Sequence, residues 1–402
     1  MFDVIIIGAG ASGLVSAIVA SRRGKKVLLL EKNAKVGKKL LATGNGRCNI
    51  ANQKPTLNRF YSQNPSFIEQ SLEGYNFQTI KQFFKSIGLE LIEAKEGKVF
   101  PLSLQASSVV ELLEYECEQQ GVEIRCNVEV QQIYKENNVY TLQHTQGKSI
   151  SAKVVIATGH VSAPQLGGVI DGIRFAERFG HRIIKDFPTL VQLTSPRKDL
   201  NQIAGVKVES KVTLNQGKYT IQKQGDVLFT AYGISGLAIL DISRFVMEQL
   251  FHNPTVILHI DLMPKMSHEQ LASLMKKSVR KKSQKPLDVW LQGFLNKKLI
   301  EIIVKGLKLP TLIESQIGVE HIEKLVDAIK DFKFEVNGSR GYKGAEVATG
   351  GVDTKEINPL TMESGKQKGL YFTGEVLDVD GDRGGFNLYF AWVCGMRAGE
   401  HL

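Results

Sequence analysis

Residues 4–7 are an unbroken β-branched run, Val-Ile-Ile-Ile, and residues 27–30 read Val-Leu-Leu-Leu. Short apolar runs without alternation predict strands buried on both faces, as in a parallel sheet. Between them, Leu14, Ala17, Ile18 and Ala20 sit among small residues and predict a helix that stops at Arg22-Arg23-Gly24, where glycine takes the left-handed cap. The stripe Val109, Val110, Leu112, Leu113 and Cys117 predicts a helix over 107–119 that Gly121 ends, followed by a strand over 122–126. Weak alternation around Gly147 predicts an antiparallel meander over 131–152, and residues 153–156 form a further buried strand.

Beyond residue 190 the pattern becomes alternating strands, 206–214 and 219–223, around Asn215-Gln216-Gly217. Helical stripes follow. Leu271, Leu274, Met275 and Val279 predict a helix over 267–282, opened by the capping-box pair Ser267 and Gln270. Pro286 starts a helix carrying Trp290, Leu291 and Phe294, and Ile322, Leu325, Val326 and Ile329 mark another. Strands return from Phe332, and a short apolar strand over 370–372 precedes a last helix.

The turn after the first strand is Gly8-Ala9-Gly10-Ala11-Ser12-Gly13, and the second strand ends on Glu31. This is G-x-G-x-x-G between a strand and a helix, with an acid placed for a ribose. Gly8 permits the tight turn, Gly10 lets backbone approach a pyrophosphate, and Gly13 lets helix and strand pack closely. Ala11 and Ser12 begin the helix, whose free N–H groups and positive dipole end favour phosphate. Glu31 accepts from ribose hydroxyls, and its charge disfavours a 2′-phosphate. The motif occurs once, and a C-terminal segment returns to complete the domain. That arrangement favours FAD over a nicotinamide cofactor as the resident dinucleotide.

Lys32, Lys38, Lys39 and Arg47 flank the glycine-containing stretch Thr43-Gly44-Asn45-Gly46-Arg47-Cys48-Asn49, a composition suited to an extended dinucleotide. The turn Ala157-Thr158-Gly159 closes a strand at the sheet edge where ligands of such folds bind. His160 follows it, and Tyr61, Tyr232 and Tyr389 are further cavity candidates; none is assigned as catalytic acid or base.

The run 44–49 after such a fingerprint resembles the bacterial flavoproteins of the BaiN-like family, also described as the aminoacetone-oxidase family. Residues 230–236, 345–352, 361–364, 374–381 and 384–388 are similar to its later blocks, so the resemblance runs end to end. Leu237 stands where the family usually has proline. The resemblance implies FAD, with Val130 at the adenine. Many FAD folds carry Gly-Asp with the acid near the ribitol; this chain has Gly374-Glu375 there and a further acid at Asp378, and either carboxylate can face the cofactor. Gly385, Phe386, Asn387 and Leu388 open the final helix, whose dipole stabilises negative charge on the flavin pyrimidine.

The expected fold is α/β: a two-dinucleotide-type, Rossmann-like FAD domain over 1–190 and 340–402, with an inserted antiparallel β domain over 191–262 and 310–339. A basic helical subdomain occupies 263–309. The chain's 43% hydrophobic and 23% charged residues are those of a globular protein. Four cysteines, with no C-x-x-C pair, disfavour structural zinc or a redox disulfide, and no metal site is expected. With no leader and no membrane span, the expected location is the cytoplasm. Of the formal charge of +10, a net +8 falls between Lys265 and Lys308, where eleven Lys or Arg stand against three acids. The expected activity is two-electron oxidoreduction of a small organic substrate through FAD. It takes the form of amine or aminoketone oxidation, or of C=C reduction with NAD(P)H as a transient donor. The alternative is a flavin protein that binds or modifies RNA through residues 265–308.

Overall fold

Burial in the computed structural model, which describes residues 1–217, 219–309 and 311–402, follows the apolar runs closely. The chain forms two units, Met1–Phe187 with Glu346–Leu402 and Pro188–Ala345. Each has its own core.

In the first unit, strands Glu123–Arg125, Val27–Leu30, Phe2–Ile7, Gly147–Ile156 and Leu370–Phe372 lie side by side in that order, all parallel. Every residue of Val27–Leu30 and of Leu370–Phe372 is buried, which explains their unalternating composition. Strands Val130–Glu136 and Val139–His144 add antiparallel to the early part of Gly147–Ile156. The expected meander and buried strand are therefore continuous. Residues 147–152 alternate where they pair with Val139–His144, and residues 154–156 are wholly buried where parallel neighbours flank them.

Helix Ala11–Arg22 links the first two strands and packs against Ala106–Gln119 and the closing helix Phe386–His401. Gly395 and Gly399, one turn apart, allow the last of these contacts. A Cβ on Gly395 would lie 2.6 Å from the Ser12 carbonyl oxygen, and one on Gly399 would lie 3.0 Å from that of Ser16. Residues ascend in the same direction on both helices, so the two run parallel.

The second unit is built on the antiparallel hairpin Lys207–Gln216 with Tyr219–Thr230, extended by Val256–Asp261 and Phe332–Val336. The helices of 263–309, expected as a separate subdomain, share that sheet's core: Leu271, Met275, Trp290 and Leu299 pack in one cluster with Val212, Phe229 and Phe334. The helix expected over 267–282 ends early, at His268–Ser278, with its Ser267 and Gln270 capping box formed. Val279 leaves helical geometry at φ −68°, ψ 127°, because the next N–H, of Arg280, is taken by the buried carboxylate of Glu314. No helix among the described residues is long and apolar enough to cross a membrane.

Candidate cofactor site

The motif residues gather at the carboxyl edge of the parallel sheet. Gly8 follows the strand Phe2–Ile7, Glu31 follows Val27–Leu30, Ala157 follows Gly147–Ile156, and Thr373-Gly374 follows Leu370–Phe372. The strands ending at Ile7 and Ile156 are neighbours whose onward chains depart separately, which makes this edge a ligand crevice.

The three glycines of the fingerprint meet different surroundings. A Cβ on Gly8 would come within 2.5 Å of the Ala157 carbonyl oxygen, and one on Gly13 within 1.9 Å of that of Gly8; a Cβ on Gly10 would meet nothing within 4 Å. Gly8 and Gly13 are therefore required by the protein's own packing, and Gly10 borders open space. The first intrahelical bond after it is Leu14 N–H to Gly10 carbonyl at 3.0 Å. The N–H groups of Ala11, Ser12 and Gly13 precede that bond and are available to an anion.

Glu31 is buried beside this opening. Its Oε2 accepts from the Ala9 N–H at 2.8 Å, and its Oε1 accepts from the Asn33 N–H at 2.8 Å and the Asn33 side-chain amide at 2.6 Å. These bonds aim the carboxylate and leave lone pairs for ribose hydroxyls. Lys32 turns away to ion pairs with Glu129 at 2.5 Å and Asp171 at 3.6 Å, and its pKa is raised chiefly by the bond to Glu129. Glu129 and Asp171 line a cavity of about 230 Å³ together with Val130, Arg174 and Phe175.

Lys39, Ser162 and Glu375 form a second cluster. Lys39 Nζ donates to Ser162 Oγ and to Glu375 Oε2, each at 2.6 Å, while Ser162 Oγ and the Ala348 N–H donate to Glu375 Oε1 at 2.5 and 3.0 Å. Burial alone would push the Glu375 carboxyl up; the Lys39 charge and the bonds from Lys39 and Ser162 outweigh it and hold it below the ordinary glutamate value. His160 is buried next to this cluster, and burial lowers its pKa, keeping it neutral; its Nδ1 accepts from the Val161 N–H at 2.8 Å.

A third group stands at the start of the closing helix, where Gly385 has φ 100° and a Cβ would strike the Ala51 carbonyl oxygen at 2.4 Å. The N–H groups of Phe386, Asn387 and Leu388 precede the helix's first bond, from Tyr389 to Gly385. Arg59 Nε and Tyr61 Oη both donate to Asp382, at 2.6 and 2.9 Å, and the Arg59 guanidinium lies over the Phe386 ring. From Phe386 to Gly395, the position level with Ser12, is nine residues of helix, or about 13 Å of rise. The two parallel helices thus offer two positive ends, one set beyond the other by about 13 Å along their common direction.

Other motif residues serve the walls. Cys48 is fully buried and burial pushes its thiol up to about 11, so it is a neutral packing residue. The Asn49 side chain accepts from the Val99 N–H at 3.3 Å, and Asn387 exchanges two bonds with the Gly381 backbone, at 2.7 and 2.8 Å. Asp378 is buried and accepts from the Gln63 N–H at 2.9 Å. Arg47 is exposed over the Phe100 ring, and Lys38 is exposed, 3.5 Å from the Asn33 amide oxygen. Gly44 has φ 58°, and a Cβ there would crowd the Asn49 nitrogen at 2.9 Å. Thr158 donates to the Gly159 carbonyl at 3.3 Å. Of the tyrosines, Tyr389 is buried with its hydroxyl donating to the Tyr75 carbonyl at 2.7 Å, and Tyr232 lies in the other unit beneath Arg340. Ser162 and Asn33 escaped sequence reasoning. Asn33 had a local signal, two residues after Glu31, whereas Ser162 has none, since its partners are 123 and 213 residues away.

The HI0933-like protein Rossmann-domain family model matches residues 2–401. A 3-dehydro-bile acid delta(4,6)-reductase of Clostridium scindens is 33% identical over 399 residues, covering 98% of this chain and 97% of that protein. A ribosomal RNA dihydrouridine synthase of Escherichia coli is 34% identical over 405 residues, covering 100% and 98%. Among solved structures, 3-ketosteroid delta1-dehydrogenase of Sterolibacterium denitrificans shares the fold, with a TM-score of 0.53 at 13% identity over 100% of this chain and 99% of that one. The chain belongs to the HI0933-like Rossmann family and is an FAD-dependent oxidoreductase.

Proposed function

We propose that this enzyme reduces a ring carbon–carbon double bond conjugated to a carbonyl, with NAD(P)H as transient electron donor. One observation carries the reading. Two relatives matched over nearly their full length bear the names of a 3-dehydro-bile acid reductase and a dihydrouridine synthase, and both names describe loss of such a double bond. FAD, when bound, would supply the two-electron chemistry, a hydride for the carbon β to the carbonyl, and the protein would supply the proton for the α carbon.

The protein's own groups do the rest. The opening at Gly10 and the N–H groups of residues 11–13 hold the pyrophosphate, Glu31 a ribose, and the Lys39, Ser162 and Glu375 cluster the polyol. The N-terminus of the closing helix favours negative charge at the flavin pyrimidine. We assign the α-carbon proton to Tyr61, whose hydroxyl is oriented by its bond to Asp382.

A second reading, a uracil carried by RNA, is favoured by the six cations and no acid of residues 276–285. The deciding experiment is anaerobic. The purified FAD protein is mixed with NADH or NADPH, loss of the flavin's visible absorbance is followed, and reoxidation is then tested with a 3-oxo-Δ4 steroid, with a uridine-containing ribosomal RNA transcript, and with air. Reoxidation by either unsaturated compound, with recovery of the saturated product, is the expected result. Reduction by amines instead of NAD(P)H, with oxygen as sole acceptor, refutes it.

A further inference from the structure

We infer that residues 276–285 of the inserted unit are a preformed edge that docks structured RNA through its phosphates. The inference rests on the second reading above, in which the reduced ring is carried by RNA. The segment holds Lys276, Lys277, Arg280, Lys281, Lys282 and Lys285, and the nearest acids in sequence are Glu269 and Asp288. Lys276 is paired with Glu323 at 2.7 Å, and Lys285 lies 3.6 Å from Glu314. Lys277, Arg280, Lys281 and Lys282 have no ion pair among the described residues, and all but Ser278, Val279 and Ser283 of the segment are exposed.

Its shape is imposed from beneath. Glu314 has no solvent exposure, its Oε1 accepts the Arg280 N–H at 2.9 Å, and its Oε2, without a hydrogen-bond partner among the described residues, faces the Lys285 ammonium at 3.6 Å. Further backbone bonds close the loop: Ser283 N–H to Arg280 carbonyl at 3.0 Å, Glu314 N–H to Lys285 carbonyl at 2.8 Å, and Ser315 N–H to Ser283 carbonyl at 3.2 Å. A carboxylate is costly to bury without full satisfaction. Here it terminates a helix and turns four unpaired cations outward on a clamped backbone. An ordered set of cations pays less ordering entropy on contact than a flexible tail does. Phosphates are the matching partner, and the segment contains no aromatic residue for base stacking, so contact through the RNA backbone is the mode it supports.

Four cations each neutralising one phosphate give a slope of log affinity against log salt of about −2.8 to −3.6, a loss of roughly 50- to 150-fold between 50 and 200 mM salt. The experiment uses the full-length FAD protein, a fluorescent ribosomal RNA transcript and anisotropy across that salt range. It compares wild type with the double variant Lys281→Glu, Lys282→Glu. The expected result is at least tenfold weaker binding and a slope shallower by about 2 in the variant, with FAD content and reduction of a 3-oxo-Δ4 steroid unchanged. A Glu314→Gln variant, which removes the buried charge with little change of shape, retains binding better than the double variant. Equal binding by wild type and the double variant overturns the proposal, as does a wild type that prefers vesicles containing phosphatidylserine to RNA. Docking and the underlying reading fail separately. Wild type that binds RNA with this slope but leaves uridine intact removes the reading alone. Uridine reduction at the same KM in both proteins removes the docking edge alone.

Discussion

Alanine placed at Gly10 and at Gly13 separates a ligand role from a packing role within one turn. At Gly13 the added Cβ lies 1.9 Å from the Gly8 carbonyl oxygen, so the helix Ala11–Arg22 must retreat by about 1.5 Å to reach ordinary contact. The retreat is opposed from behind, where Gly395 already brings the closing helix against the Ser12 carbonyl. Overpacking of this kind costs about 1–3 kcal/mol, which lowers the melting temperature of a unit this size by roughly 2–12 °C. At Gly10 the Cβ meets nothing, and φ is −87°, which alanine adopts freely. The poorer N-cap and the stiffer unfolded chain offset each other, leaving a net change under about 1 kcal/mol. The new methyl stands in the open space proposed above for the pyrophosphate. Losing one charge-assisted N–H bond, about 1.5–3 kcal/mol, weakens FAD roughly 10- to 150-fold. Thermal unfolding of the apoprotein and titration of FAD by fluorescence quenching give the two quantities for each variant. If Gly10→Ala binds FAD as tightly as wild type, the pyrophosphate does not cross Gly10. If apo Gly13→Ala melts with wild type, the clash is not limiting.

The Glu375 carboxyl is depressed by Lys39, so its stabilising contribution is present above the unfolded glutamate value and is lost as pH falls through the folded one. Lys39→Met leaves only the bonds from Ser162 and the Ala348 N–H to offset burial; the melting temperature deficit should be largest near neutrality and shrink below about pH 4, and a pH-independent deficit contradicts this. Cys48, pushed up to about 11, should resist maleimide at pH 7 in the folded protein, while the partly exposed Cys126 is alkylated first; peptide mass mapping reads the order. Tyr61→Phe should lower the rate of C=C reduction by about 10²-fold or more while leaving flavin reduction by NAD(P)H intact, as single-turnover kinetics would show. Deleting residues 341–402 removes strand Leu370–Phe372 and the helix covering Ala11–Arg22, and should abolish FAD binding although the fingerprint remains; stoichiometric flavin in that fragment would contradict the two-ended domain.

The parts of the site that read directly from sequence are those whose causes are local. Gly8, Gly10 and Gly13 lie within six residues, and the contact that forbids a side chain at Gly13, the Gly8 carbonyl, lies inside the turn itself, so spacing conveys it; the Ala157 carbonyl that closes on Gly8 comes from 149 residues away and is not conveyed by spacing. Strand 147–156 was harder, because its pattern changes from alternating to continuous when its neighbours change, and neighbours are a tertiary fact. The end of the helix at Ser278 was hidden for the same reason: Glu314, thirty-four residues from Arg280, takes the N–H that would have continued it. Lys39 and Glu375 were both legible as charged residues in suggestive places, yet 336 residues separate them, and only the fold shows that each sets the charge state of the other.

The same distinction explains why the two ends of the chain are both needed. The fingerprint supplies one helix terminus, and residues 385–388 supply another, but neither motif specifies how far apart they stand. That separation is measured by the glycines of the closing helix. Because Gly395 and Gly399 lock onto Ser12 and Ser16, the helix can only project its remaining turns past the first helix's N-terminus, by about 13 Å. A substitution at Gly395 that slid this contact by one turn would move the second positive end about 5 Å without touching either motif. Gly395→Ala is therefore expected to impair FAD binding more than its cost in stability accounts for, although it changes no residue of either motif and meets the fingerprint helix at the Ser12 carbonyl. The comparison of FAD affinity with apoprotein melting temperature, against Gly399→Ala as the control lower on the same seam, tests that spacing directly.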